Sequence, residues 1–197
     1  MYESQPLPYK ELSGISQNTL TIHHDKLYVG YVNKLNEIEE KLKTVDRATA
    51  NGTYSEYGEL KRQESFARDA KILHEAYFNI LGGDGKASGE LVNQIEKDFG
   101  SIEAWNVDFK AAGLVARGWV VLAWDANDGR LHNYVCDIHN QGGIWGSIPV
   151  IVLDTYEHAY MIDFGSDRKA YIETFMQQLN WNEANKVWDK VKGWNLN

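Results

Sequence analysis

Ile148-Pro-Val-Ile-Val-Leu-Asp154-Thr-Tyr-Glu-His158 is the stretch on which the reading of this chain turns. Its first six residues, Ile148 to Leu153, form a continuous apolar run, the pattern of a strand buried on both faces. Asp154 ends the run and His158 follows one helical turn later, so a carboxylate and an imidazole can converge beyond the strand end. A short helix is expected over Tyr156 to Phe164. A strand buried on both faces needs neighbours, and the flanking sequence supplies them.

Upstream, Trp119 to Trp124 reads as a strand, Asn127-Asp128-Gly129 as a hairpin turn, and Leu131 to Ile138 as the returning strand. Ser101 is placed to cap a helix carrying Trp105, Phe109 and Ala112. Downstream, helices are expected near Lys169–Leu179 and Glu183–Val191. The region 85–197 is therefore predicted to be an α+β domain with a three-stranded antiparallel sheet.

The first 84 residues have a different rhythm. From Ser16 to about Leu42, Leu20, Leu27, Tyr31, Leu35, Ile38 and Leu42 recur at helical spacing, with His23 on the same stripe. His24 is rotated about 100° from His23 and is expected to face elsewhere. A second helix, from about Glu56 to Leu81, carries Ala67, Ala70, His74, Tyr77 and Leu81 on one face and stops at Gly82-Gly83-Asp84-Gly85. Residues 1–84 thus form a predicted helical hairpin, with a polar connection from Thr44 to Tyr57 and one inward histidine on each helix.

Bulk composition narrows the class. The 197 residues include 20 Lys+Arg and 28 Asp+Glu, a net charge of −8, with 43% hydrophobic residues. That is a globular composition, and the acidic balance argues against nucleic acid or anionic membrane as partner. No apolar run approaches the roughly 20 residues that span a bilayer. The opening decapeptide lacks the pattern of a signal peptide, and Cys136 alone cannot form an intrachain disulfide, so a cytoplasmic protein is expected. Cys136, within a strand, is read as an inert core thiol.

His23, His74, Asp154 and His158 make a set of three imidazoles and one carboxylate. Such a set suits Mn, Fe, Zn or Cu better than Ca or Mg, and lacks the thiolates of a structural zinc site. Four protein ligands with an open fifth position would suit a metal that meets a small substrate.

The chain resembles the iron/manganese superoxide dismutases. The matching stretches are Leu7-Pro-Tyr9, Thr21-Ile-His-His-Asp-Lys26, Tyr31-Val-Asn33, Ala116-Arg-Gly-Trp119 and Leu153-Asp-Thr-Tyr-Glu-His-Ala-Tyr160, spread from about Leu7 to Val191. The resemblance implies metal ligation by His23, His74, Asp154 and His158, and superoxide as substrate. It also implies one Mn or Fe ion per chain that converts two superoxides and two protons to dioxygen and peroxide. Family members usually set a glutamine against the metal's solvent molecule. Ala70 stands at one position it can come from, so the donor would come from the loop between the last two strands. His139, fifteen residues before Asp154, is favoured over Gln141, thirteen before it. An imidazole there can change protonation, which would make the site's potential depend on pH.

The same resemblance makes Tyr31 the gateway phenol and the end of a proton relay, and makes Phe78, Trp119 and Tyr156 walls of the metal pocket. Leu27 and Met161 replace a histidine and a tyrosine that commonly meet across a dimer, giving a shortened proton route. Glu157 would reach across a two-fold axis to His158 of the partner subunit, so a homodimer is expected. Lys26 and Arg168 match positions beside the substrate channel, while His24 and His132 are read without catalytic duty. A small Ala70 with a solvent partner in the strand loop favours manganese. Two other readings compete: a non-haem iron oxygenase, disfavoured by four protein ligands, and a non-catalytic metal-binding or interaction module of the same fold.

Overall fold

The computed structural model describes residues 1–196. Ser16 caps α1 (Gln17–Leu20), its hydroxyl accepting from Thr19 N–H. The chain passes without a break into a π-helical segment, Thr21–Tyr28, and then into α2 (Val29–Thr44). The π turn is visible in Val29, whose N–H reaches the His24 carbonyl five residues back.

This segment corrects one expectation. His23 and His24 are both buried, and the His24 ring meets Phe78 edge-on with centroids 5.1 Å apart. A π turn is wider than an α turn, so adjacent residues are splayed less and two consecutive histidines can face inward. His24 is pinned there by the Gln5 carbonyl at 2.9 Å and by Asp25 at 2.7 Å.

The second hairpin helix, α3 (Glu56–Asn79), is capped by Ser55, whose hydroxyl accepts from Gly58 N–H. Leu35, Ile38 and Ala67 seal the contact between α2 and α3. The helix ends two residues before Leu81 because the Ile80 carbonyl is taken by Asn180 N–H at 2.7 Å. Gly83 is required beside it, since a Cβ there would lie 2.3 Å from the Leu179 carbonyl oxygen.

An additional helix, α4 (Glu90–Phe99), was not legible from its ends. Its N-cap is Gly89, with no capping side chain, and Asn185 instead accepts from Leu91 N–H at 3.0 Å. Then come α5 (Ile102–Val115), capped by Ser101 as expected, and strands β1 (Trp119–Asp125), β2 (Arg130–Cys136) and β3 (Ser147–Asp154).

The sheet is antiparallel in the order β2-β1-β3, so the strand buried along its whole length is the central β1. The β3 strand is an edge, fully buried only from Val150 to Asp154. Its register shifts opposite Leu122 and Ala123, where Pro149 has no N–H to give the ladder. The β2 strand stops at Cys136 because Ile138 leaves to bridge with Gln141.

Beyond β3 the expected single helix is split into a 3-10 turn, Glu157–Ala159, and α6 (Met161–Phe164), broken at Tyr160 where φ is −143°. The chain closes with α7 (Arg168–Gln177) and α8 (Trp181–Val191). The whole is an N-terminal helical hairpin joined to an α+β domain with a three-stranded antiparallel sheet.

Candidate metal centre

Asp154 is the last residue of β3 and pairs with Trp119, the first of β1. Its carboxylate is divided by function. Oδ1 accepts from Tyr156 N–H at 2.8 Å, which turns the chain into the 3-10 segment. Oδ2 faces the Nε2 atoms of His23 at 3.0 Å, His158 at 3.2 Å and His74 at 3.8 Å. One donor atom from each residue lies within 4.8 Å of all the others. The π segment, α3, β3 and the 3-10 turn thus each deliver one ligand to a common point.

The donors are prepared for a cation. His74 Nδ1 donates to the Ala70 carbonyl at 2.6 Å, which leaves Nε2 with its lone pair free. His74 Nε2 is buried with no hydrogen-bond partner, and His23 Nε2, also buried, has only the Asp154 carboxylate beside it. An orphaned buried nitrogen is costly unless a ligand satisfies it, and an N3O set in which the His74 tautomer is fixed fits Mn or Fe.

Protonation follows the same logic. Burial drives His74 down to about 3, helped by His23, and burial also lowers His23. Burial would raise Asp154, but His158 and His23 outweigh it and hold the carboxyl far below the usual range. Burial pulls His158 down too, yet the Asp154 carboxylate more than offsets this, so its pKa is raised.

Above the ligands, the Trp119 indole donates to His139 Nδ1 at 3.0 Å, and His139 Nε2 lies 3.0 Å from the Tyr31 hydroxyl. An indole N–H can only donate, so Nδ1 is the acceptor and the His139 proton sits on Nε2. His139 therefore donates to the Tyr31 oxygen, and the Tyr31 hydroxyl proton points elsewhere. Burial lowers His139 to about 4, so it stays neutral through the neutral range, and the expected pH sensitivity would fall only in acid.

His139 is buried and its ring lies 5.7 Å from that of His74. Gln141 is exposed beyond the tight turn in which its N–H bonds the Ile138 carbonyl. The structure does not bring it to the ligands.

Trp119 and Phe78 pack against ligand rings, with centroids 4.9 Å from His74 and 4.9 Å from His23 respectively. Tyr156 stacks on His158 at 5.3 Å, and its hydroxyl is pushed up to about 12 by burial and then by Asp154. Ala70 is fully buried and contributes its carbonyl to His74.

Two residues at the centre, Phe66 and Tyr171, escaped the sequence reading. Phe66, two turns before His74, lies 4.6 Å from the His139 ring. Tyr171 donates to the Asp154 carbonyl at 2.8 Å, and the Tyr77 hydroxyl stands 3.1 Å from that of Tyr171. Phe66 sits off the marked stripe. Tyr171 lies on the buried face of α7 with Phe175, a helical signal that says core but not partner.

The remaining candidates lie further out. Lys26 is exposed. Arg168 is half-buried, donating to the Ala116 carbonyl at 2.7 Å and the Tyr160 hydroxyl at 3.2 Å, so part of its guanidinium clamps α7 to the entry of β1. Glu157 and Met161 are exposed beside Ile162, and Leu27 is half-buried. Asp125, Asp128 and His132 form a second cluster at the β1–β2 hairpin. There Asp125 accepts from Asn127 and Tyr134 and Asp128 pairs with His132, contacts that hold the turn. Burial raises Cys136 to about 11, which keeps it a thiol.

Three imidazoles and one carboxylate, drawn from a helical hairpin and an α+β domain onto one point, form a group that could hold one metal ion in an N3O site. Two family models match the chain: the alpha-hairpin domain of iron/manganese superoxide dismutases over residues 1–82, and their C-terminal domain over 87–187. The chain belongs to the iron/manganese superoxide dismutase family.

Among curated relatives, "Superoxide dismutase [Fe]" of Aquifex aeolicus is 43% identical over 92% of this chain and 88% of its own. "Superoxide dismutase [Fe]" of Cupriavidus metallidurans is 40% identical over 93% and 94%. "Superoxide dismutase [Mn] 1" of Halobacterium salinarum is 36% identical over 96% of each.

Proposed function

We propose that this protein is a superoxide dismutase holding one manganese or iron ion on His23, His74, Asp154 and His158. The observation that carries this reading is the convergence of four donor atoms within 4.8 Å, among them the buried, unpartnered Nε2 of His74. The bound ion supplies the one-electron redox chemistry by which two superoxides and two protons become dioxygen and hydrogen peroxide.

The chain's own residues govern protons and access. His139, held as the Nε2–H tautomer by Trp119, donates to Tyr31 and directs the Tyr31 hydroxyl proton away from itself. Tyr31 is the proton source we assign to peroxide formation. Its pKa is raised by burial and then by Asp154, so at neutral pH the phenol keeps the proton it would deliver. Phe78, Trp119 and Tyr156 exclude bulk water and leave room for a small anion. Lys26, with part of Arg168, offsets the net charge of −8 near the entrance.

Manganese is the first choice for the ion. Ala70 offers no side-chain donor, and the candidate solvent partner comes from the loop before β3, through His139. The relatives at 40–43% identity are named for iron and that at 36% for manganese, so iron-loaded protein is the comparison arm.

The functional unit we propose is a homodimer. Ligating histidines generally donate their second ring N–H to an acceptor. Among the described residues no acceptor for His158 Nδ1 is found within the chain, while Glu157 is exposed beside it. Glu157 of one protomer would accept from His158 of the partner subunit, with Met161 and Ile162 in the same contact.

Pulse radiolysis of Tyr31→Phe tests the assignment. The reading predicts that the metal-reducing half-reaction is retained and the peroxide-forming one slows. Equal rates in variant and wild type would remove Tyr31 from the relay.

A further inference from the structure

Between α3, the sheet and the loop before β3, with His139 in its lining, the structure holds a cavity of about 410 Å³. Its floor is the sheet, through Val121, Ala123 and Tyr134; one wall is α3, and the lip is the loop preceding β3. A volume of this size matches the range that holds small organic ligands. It shares one residue, His139, with the metal centre, and none of the four candidate ligands lines it.

The lining is chemically one-sided. Asp69 contributes a carboxylate whose pKa burial raises, and among the described residues it has no hydrogen-bond or ion-pair partner. Asn140 turns its amide nitrogen to Ser65 Oγ at 2.8 Å, which leaves Oδ1 a buried acceptor without a partner. Ser65 lies one helical turn before Asp69 on the same face of α3. Ser147 Oγ is a further buried oxygen, beside the Tyr134 hydroxyl. No lysine or arginine lines the cavity among the described residues.

Apart from the His139 imidazole, held by Trp119 and Tyr31, the rest of the lining is apolar or aromatic, and Trp145 stands at the mouth almost fully exposed. An indole face at the entrance favours cations over neutral molecules or anions. The Asn140 Oδ1 acceptor without a donor, a carboxylate whose nearest cation, Arg68, lies outside the lining and is engaged by Tyr2 and Glu39, and an aromatic gatepost describe a site missing a positively charged donor with an apolar body.

We propose that this cavity binds a small organic ammonium ion, its N–H groups on Asp69 and Asn140 Oδ1 and its hydrocarbon part against Ile72, Val121 and Pro149. The binding is independent of the dismutase reading. It requires only the cavity and its acceptors, and would stand if the metal centre did something else.

The test is calorimetric titration of metal-loaded protein with 4-phenylbutylamine, 4-phenylbutanol and 4-phenylbutyrate, which share one hydrocarbon body. The proposal predicts one amine site per chain, at least tenfold weaker binding of the alcohol, and no binding of the carboxylate. Asp69→Asn should bring the amine to the level of the alcohol. Trp145→Ala, a change at an exposed position that leaves folding intact, should weaken the amine severalfold.

Equal affinity for amine and alcohol, or full amine affinity in Asp69→Asn, would overturn the proposal and leave a non-selective apolar pocket. Absence of binding by all three at millimolar concentration would also overturn it. So would a fall in oligomer size on sedimentation of Trp145→Ala, which would mark the cavity as a contact between copies of the chain.

Discussion

Tyr171→Phe removes one oxygen atom and keeps the ring, so its consequences can be worked from three contacts. The Tyr171 hydroxyl donates its only proton to the Asp154 carbonyl at 2.8 Å. The Tyr77 hydroxyl, 3.1 Å away, must therefore donate to the Tyr171 oxygen. All three residues are fully buried, so no water replaces the lost atom. The ring stays wedged against Tyr160 at 5.2 Å and no cavity of consequence opens.

The change strands a backbone acceptor and a phenolic donor. Each stranded buried group costs about 1–3 kcal/mol, and the Tyr77 hydroxyl can recover part of its share by rotating. A net loss of about 3 kcal/mol, at about 3 °C per kcal/mol for a chain of this size, lowers Tm by about 9 °C. Differential scanning calorimetry at neutral pH measures it. Because Asp154 is also one of the four proposed ligands, the loaded variant should release its ion faster to a chelator than wild type does. A fall of less than about 2 °C in apo and loaded protein alike would refute the view that Tyr171 holds the end of β3.

Three other expectations follow from the same geometry. In Trp119→Phe the donor to His139 Nδ1 is gone, so nitrogen-15 NMR should show both neutral tautomers where wild type shows Nε2–H alone; an unchanged spectrum would mean that Trp119 does not set the proton. Acidifying the apo protein from pH 7 to 5 should lower its stability. His23, His74 and His139 have pKa values depressed by burial, so the unfolded chain binds more protons below about 6.5, and each imidazole kept neutral contributes about 1.4 kcal/mol per pH unit. His158 has the opposite sign, its raised pKa giving stability that is complete below about 6.5 and lost as pH rises through the folded value, but three outweigh one. A Tm flat over that range would contradict the burial of neutral imidazoles. Glu157→Ala should shift sedimentation toward the monomer, whereas an unchanged dimer would place the interface elsewhere.

The sequence disclosed most of this architecture because burial and periodicity coincide in it. The stripe on α3 places Ala67, Ala70 and His74 on one buried face, and the apolar run before Asp154 is a strand whose end carries the carboxylate. Periodicity failed where the backbone departs from its ideal repeat. His24 faces inward because residues 21–28 wind as a π-helix, and no pattern of residue types announces five-residue turns.

Capping chemistry failed at α4, whose first turn is served by Asn185, 94 residues away in sequence. Long-range contacts of that kind also conceal Tyr171 and Phe66, which read only as core. The choice between His139 and Gln141 rested on loop length in the sequence. In the structure it becomes a matter of contact, since one ring lies against Trp119 and Tyr31 while the other side chain is exposed.

The central claim is that four converging donors hold a redox ion that disproportionates superoxide. One apo preparation, reloaded separately with manganese and with iron and assayed for superoxide removal at one bound ion per chain, tests it most directly. The account predicts catalysis with at least one of the two metals, with manganese the more active. Stoichiometric binding of both ions and no activity from either would contradict it, and would leave a metal-binding module with the dismutase fold.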